Sequence, residues 1–289
     1  MIKGVFREVF CILSFIAVLF SCIGGNPASE TPDEARPGTF PFGIFTGLDP
    51  EHLERLEGYD IVVIDAQYYN SADIALLHEW GSRVYTYLNI GSLEEFRPYY
   101  TDFESLALGV YEGWENERWI DIAAPAWRQY LVQVLAGDLV QKGVDGFFID
   151  NADVYYHYPQ GAIYEGILDT LERLGKDYGL PLIINGGDIF MKEALDRKAL
   201  KATTVKGVNQ ENVFTLPDLR TGVFGRQNAE VSRYYQSYLS LCKAAGLDVS
   251  ITEYLKGDAD LRKQILDYCA YNGFSVFIAG SLALDCAGW

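Results

Sequence analysis

The chain has 289 residues, 49% of them hydrophobic and 22% charged, which excludes a disordered or fibrous polypeptide and suits one globular domain with a large core. Against 23 basic residues stand 40 acidic ones, a formal charge of -17 that repels nucleic acid. Focused in a cleft, that charge would steer a cationic partner; spread over the surface, it would serve solubility alone.

Lys3 and Arg7 precede an apolar run from Val9 to Phe20, too short to span a membrane and suited to an export signal. Its end, Leu19-Phe20-Ser21-Cys22, resembles the lipobox of bacterial lipoproteins, which implies cleavage before Cys22 and lipidation of that residue. Phe20 departs from the usual small residue, so a plain secretory signal cut nearby is the competing reading. Residues 23–40, rich in Gly, Pro, Ser and acids, read as a flexible tether. Residues 1–22 are thus expected to be signal and 41–289 the folded domain, exported, monomeric, and touching a membrane only through the lipid anchor. Beyond the signal, Cys242, Cys269 and Cys286 show no CxxC spacing and suggest neither a zinc site nor a disulfide framework.

From Phe42 onward, apolar runs bounded by Gly, Pro or acidic residues alternate with helical stretches. The expected strands are Phe42 to Gly47, Asp60 to Ala66, Arg83 to Gly91, Val144 to Ile149, Pro181 to Gly187, Val205 to Glu211, Asp248 to Tyr254 and Phe274 to Gly280. Near-continuous apolar runs such as Ile61-Val-Val-Ile64 are those of strands buried on both faces. Eight strands alternating with helices over about 240 residues predict a (β/α)8 barrel, or TIM barrel. No GxGxxG turn follows the first strand and no Walker-type loop is present, which argues against an open doubly wound sheet. Two long excursions interrupt the pattern, Ser92 to Ile122 and Thr215 to Ala229, both read as loops. The first carries Tyr99, Tyr100, Trp114 and Trp119, either a stacking platform for sugar rings or a lid packed on itself.

Acidic residues close several strands: Asp65 the second, Asp150 the fourth, Glu211 the sixth and Glu253 the seventh. One carboxylate at a strand tip is often only a helix cap. Four of them converging on a barrel mouth would push each other's pKa values apart, the condition for a general acid and a nucleophile or base to coexist. Glycoside hydrolysis needs such a pair. The histidines, His52, His78 and His157, show no HxH or HExxH spacing, and there is no GxSxG turn, so neither a zinc nor a serine hydrolase is expected. Magnesium on Asp150 and Asp153 is a minor reading; no cofactor and no metal are otherwise expected.

Three stretches carry a family resemblance: Gly143 to Asp153, reading GVDGFFIDNAD; Tyr87-Leu-Asn-Ile-Gly-Ser92 followed by Glu95-Phe-Arg97; and Asn209-Gln-Glu211. From about Pro41 to the C-terminus the chain resembles glycoside hydrolase family 114, the endo-α-1,4-polygalactosaminidases. The resemblance implies the same barrel, cleavage of α-1,4-linked galactosamine polymers, and an Asp–Glu catalytic pair at Asp150 and Glu211. By analogy with α-retaining barrel enzymes Asp150 is the nucleophile and Glu211 the acid/base, with the exchanged assignment open. A retaining pair would stand about 5 to 5.5 Å apart, an inverting pair roughly 6.5 to 9.5 Å. Asp65, Asn89, Asn151, Asp153, Tyr155, Asn185 and Glu253 are then expected to hold substrate. An acidic cleft suits a cationic amino-sugar polysaccharide. A barrel that binds glycan without cleaving it, and a hydrolase of another α-linked glycan, are the alternatives.

Overall fold

The computed structural model describes residues 40–219 and 221–288. The export signal, Cys22 and the tether up to residue 39 lie outside the described residues. Thirteen strands form among those described: β1 (Gly43–Ile44), β2 (Ile61–Ile64), β3 (Arg83–Asn89), β4 (Ser92–Glu94), β5 (Ala107–Val110), β6 (Glu117–Ile120), β7 (Gly146–Asp150), β8 (Leu182–Asn185), β9 (Val205–Glu211), β10 (Thr215–Asp218), β11 (Val223–Arg226), β12 (Asp248–Tyr254) and β13 (Ser275–Ala279). Eight of them hydrogen-bond in the order β1-β2-β3-β7-β8-β9-β12-β13, every neighbouring pair parallel. The two ends of that order face each other, with the Phe45 and Phe277 rings meeting edge to face at 5.0 Å. The sheet is therefore the expected nearly closed (β/α)8 barrel.

The helices lie between strands and bury one stripe each. Gly161–Tyr178 buries Ile163, Ile167, Leu171 and Leu174, a spacing of three or four residues, and stops where Gly179 takes a left-handed φ of 68°. The helix over residues 125–141 contains a π turn at Tyr130–Leu135, within which Leu131, Val132 and Leu135 are buried. Trp127 on this helix donates from Nε1 to the Ile90 carbonyl at 2.9 Å, fastening the helix to the end of β3.

Two regions expected to be loops are instead small sheets. Within Ser92 to Ile122, β4, β6 and β5 form an antiparallel sheet, and within Thr215 to Ala229, β10 and β11 form a hairpin. Their strands are three or four residues long and mix charges with apolar residues, so no alternation stands out until they pair. Tyr155 to Tyr158, also read as loop, largely fall in a short helix, Val154–His157. The aromatics of the first excursion pack on themselves: Trp119 is buried, stacked between Tyr111 at 4.1 Å and His157 at 4.4 Å, and Trp114 and Tyr99 are buried as well. Phe96, by contrast, is exposed. Cys242 and Cys269 are buried free thiols, and Cys286 is a free thiol at intermediate exposure.

Gly91 is where β3 turns into β4. A Cβ there would lie 1.8 Å from the Asn151 carbonyl oxygen, a backbone atom that cannot swing aside. Gly91→Ala is expected to cost about 3 kcal/mol or more of stability, measured by urea unfolding, and to displace the turn after β7.

Candidate active site

The barrel strands end together, and their last residues meet over one cleft. Asp150 closes β7, Asn185 closes β8 and Glu211 closes β9, with Asn89 beside Asp150 and Asn185 beside Asn209 in the strand register. Tyr111, Asp150, Asn151, Asp153, Asn185 and Glu211 line this cleft, with Gln210, Asn212 and Tyr235. Of the residues singled out from sequence, Asp150, Asn151, Asp153, Asn185 and Glu211 are brought together here.

Asn185 joins the two principal acids. Its Nδ2 donates to Asp150 Oδ1 at 2.9 Å and to Glu211 Oε1 at 2.9 Å. A trigonal NH2 with an acceptor on each hydrogen holds those two oxygens about 5 Å apart. The Glu211 Oε2 accepts from the Tyr254 hydroxyl at 2.8 Å, so both its oxygens are held. Burial pushes the Glu211 pKa up to about 8, with Asp150 and Asp153 adding repulsion against its charged form. Glu211 therefore holds its proton at neutral pH.

The residues after β7 are fixed from two sides. Asn151 has a left-handed φ of 64°; its Oδ1 accepts from the Tyr111 hydroxyl at 3.0 Å and its Nδ2 donates to Ser92 Oγ at 3.0 Å. Asp153 Oδ2 accepts the Gly187 N–H at 3.0 Å, and a Cβ on Gly186 would come within 2.7 Å of that oxygen, so the close approach requires glycine. Burial, then the neighbouring Asp188, pushes the Asp153 pKa up to about 8.

The structure places the other four expected substrate contacts elsewhere. Asp65 is buried in an ion pair with Arg97 at 2.8 Å, and Arg97 also pairs with Glu94 at 2.6 Å, which ties β4 to the end of β2. Glu253 accepts the backbone N–H groups of Phe214 and Thr215, both at 2.9 Å, and the Thr215 hydroxyl; it braces the turn that follows Glu211. The Asn89 side chain clasps Ser92, accepting its N–H at 3.0 Å and donating to its Oγ at 2.7 Å. Tyr155 donates its hydroxyl to Glu193 at 2.7 Å, outside the cleft. Each is satisfied by partners that the chain order does not announce. Conversely, Tyr111, Gln210, Asn212, Tyr235 and Tyr254 belong to the site and were not singled out. Gln210 and Asn212 flank Glu211, and Tyr254 ends its strand, so their positions carried some signal; Tyr111 and Tyr235 carried none. Among the described residues, no group of three or more His, Cys, Asp or Glu side chains is placed to hold a metal ion.

A (β/α)8 barrel with two carboxylates converging at its strand ends is the architecture of a barrel glycosidase. The family model for glycoside-hydrolase family GH114 matches residues 26–285, and the chain belongs to that family. It is a glycoside hydrolase. Among solved structures, the chain is similar to the glycoside hydrolase domain of PelA from Pseudomonas aeruginosa, at 22% identity and a TM-score of 0.73, over 88% of this chain and 98% of that one. It is also similar to Aspergillus fumigatus Ega3 in complex with galactosamine, at 18% identity and a TM-score of 0.63, over 91% and 98%. The α-galactosidase TtGalA from Thermus thermophilus follows at 10% identity and a TM-score of 0.54, over 84% and 58%. No curated protein sequence matches the chain.

Two stability predictions come from these buried charges. Arg97→Met would leave Asp65 and Glu94 buried without their counter-ion and should cost about 3–5 kcal/mol in urea unfolding. The second concerns pH. Asp153 and Glu211 are raised to about 8 and Glu253 to about 7, so between the ordinary carboxylate range and about 8 the native state keeps protons that the unfolded chain has lost. Stability from these groups is full at low pH and is lost as pH rises through those values. Thermal melts should therefore show Tm falling from about pH 5 to about pH 8, and Glu211→Gln should flatten part of that fall.

Proposed function

We propose that the enzyme cleaves an α-1,4-linked galactosamine polysaccharide within the chain, by a retaining double displacement with Asp150 as nucleophile and Glu211 as acid/base. The observation that carries this reading is the Asn185 amide shared by both acids, because the spacing of about 5 Å it implies is that of a retaining pair and leaves no room for a water between carboxylate and sugar. In the first step an Asp150 oxygen attacks the anomeric carbon while Glu211 gives its proton to the departing glycosidic oxygen, leaving a glycosyl ester on Asp150. In the second, the Glu211 carboxylate takes a proton from water as that water attacks the same carbon and releases Asp150. Two inversions give retention.

Burial suits Glu211 to the first role, since it favours the protonated form. The substrate reading draws on the family, on the galactosamine bound to Ega3, and on charge. A chain with a formal charge of -17 attracts a polymer of free amines. In this reading the domain is an exported monomer, held at a bacterial membrane by lipid on Cys22 and reaching the polymer through the tether.

Asp150→Asn and Glu211→Gln should each lower hydrolysis of de-N-acetylated galactosamine oligomers about 10³-fold or more without changing the fold. Azide separates the roles: with an activated aryl glycoside, Asp150→Ala should give the β-glycosyl azide and Glu211→Ala the α-glycosyl azide. The opposite pairing would exchange nucleophile and acid/base, and full activity in either amide variant would remove that residue from the pair.

A further inference from the structure

Behind Asn185, on the side away from the cleft, runs a second line of polar contacts. Asn209 is fully buried on β9 and donates from Nδ2 to Asn185 Oδ1 at 2.7 Å. Its own Oδ1 accepts from the hydroxyls of Ser250 at 3.0 Å and Thr252 at 3.1 Å, both on β12. Ser250 shares its hydrogen with the Val208 carbonyl at 3.2 Å. Ser250, Thr252 and Tyr254 are alternate residues of β12 and so stand on one face; the third is the residue that donates to Glu211. One strand thus supplies three hydroxyls, two to the asparagine relay and one to the acid it serves.

A carboxamide has an acceptor on one side and a donor on the other, so its orientation matters wherever both sides are used. With Asn209 Nδ2 facing Asn185 Oδ1, the Asn185 NH2 must point at Asp150 and Glu211. Were Asn185 reversed, its carbonyl oxygen would face two carboxylate oxygens, and the contact that joins the acids would become one that drives them apart. Nothing on the cleft side forbids that reversal except the charge of the acids themselves, which changes during the reaction as Glu211 gives up and regains its proton.

We infer that Asn209, backed by Ser250 and Thr252, is a positioning residue that holds the Asn185 amide in one orientation through the catalytic cycle and so keeps Asp150 and Glu211 at the spacing the double displacement needs. The inference rests on the carboxylate-pair reading above. Asn209 and Thr252 are fully buried and cannot touch the polymer, so their effect must appear in kcat and in the ionisation of Glu211 rather than in binding.

The test is steady-state kinetics on de-N-acetylated galactosamine oligomers over a pH series, with Asn209→Leu, which keeps the branched side-chain shape and removes all three polar contacts. Its expected effect is a fall in kcat of about 10- to 100-fold, with KM within about twofold of the parent. The alkaline limb should move up, because Glu211 loses the N–H that favours its charged form, while Asp150, Asp153, Tyr235 and Tyr254 still face it. The double variant Ser250→Ala/Thr252→Val removes only hydroxyls, tests the same relay if Asn209→Leu does not fold, and should show the same changes at smaller size. A parental kcat and limb, or a rise in KM alone, in a folded variant would overturn the inference. Asp150→Asn and Glu211→Gln run in parallel keep the two ideas apart: if they remain active the carboxylate pair itself is wrong, whereas inactive amide variants beside a fully active relay variant sink only the relay.

Discussion

Two carboxyl groups that repel each other are buried at one barrel mouth and share a single amide NH2. That arrangement, Asp150 and Glu211 on Asn185, sets the demands that the surrounding structure meets. Burial raises the proton affinity of Glu211, repulsion from Asp150 raises it further, and the Asn185 and Tyr254 hydrogen bonds pull against both. Both acids accept an N–H from the one Asn185 amide, and Glu211 accepts from the Tyr254 hydroxyl as well. Parallel strands provide this convergence cheaply in geometric terms: neighbouring strand ends lie about 4.8 Å apart, so residues closing adjacent strands meet without any long reach.

The first excursion meets the same problem by different means. Glu94 on β4 stands directly opposite Glu117 on β6, a like-charge pair that would destabilise an exposed antiparallel ladder. Arg97 pairs with Glu94 and with Asp65, while burial and the nearby Glu94 raise the Glu117 pKa well above the ordinary range. Glu117 in turn accepts from the Ser92 hydroxyl at 2.9 Å, and Ser92 accepts the Asn151 amide next to Asp150. The small sheet is thereby part of the mounting of the β7 turn. Its aromatic residues serve that mounting too, since Tyr111, stacked on Trp119, is the one that reaches Asn151.

Acids at strand tips therefore divide by partner. Asp150 and Glu211 keep contacts that an incoming sugar could exploit, whereas Asp65 is neutralised by Arg97 and Glu253 is consumed by the backbone of the following turn. All four are carboxylates at strand ends. Their difference lies in what the fold brings to them from elsewhere in the chain.

The barrel was legible from residue order because its signals are local: continuous apolar runs make strands buried on both faces, helical spacing makes the layer outside, and glycines and acids mark where each run stops. The placement of Asp150, Asn185 and Glu211 at the barrel mouth was legible for the same reason, since a residue ending a parallel strand must stand there, and Asn151 and Asp153 follow Asp150 directly. The small sheets of the excursions were not, because strands of three or four residues acquire their character only by pairing. Nor were the removal of Asp65 and Glu253 from the cleft, the arrival of Tyr254 and the asparagine relay. Sequence by itself determined which groups could reach the mouth; the tertiary structure decided which remain available there, because a hydrogen bond or ion pair is chosen by distance and direction in space, and those are set only when strands distant in the chain lie side by side.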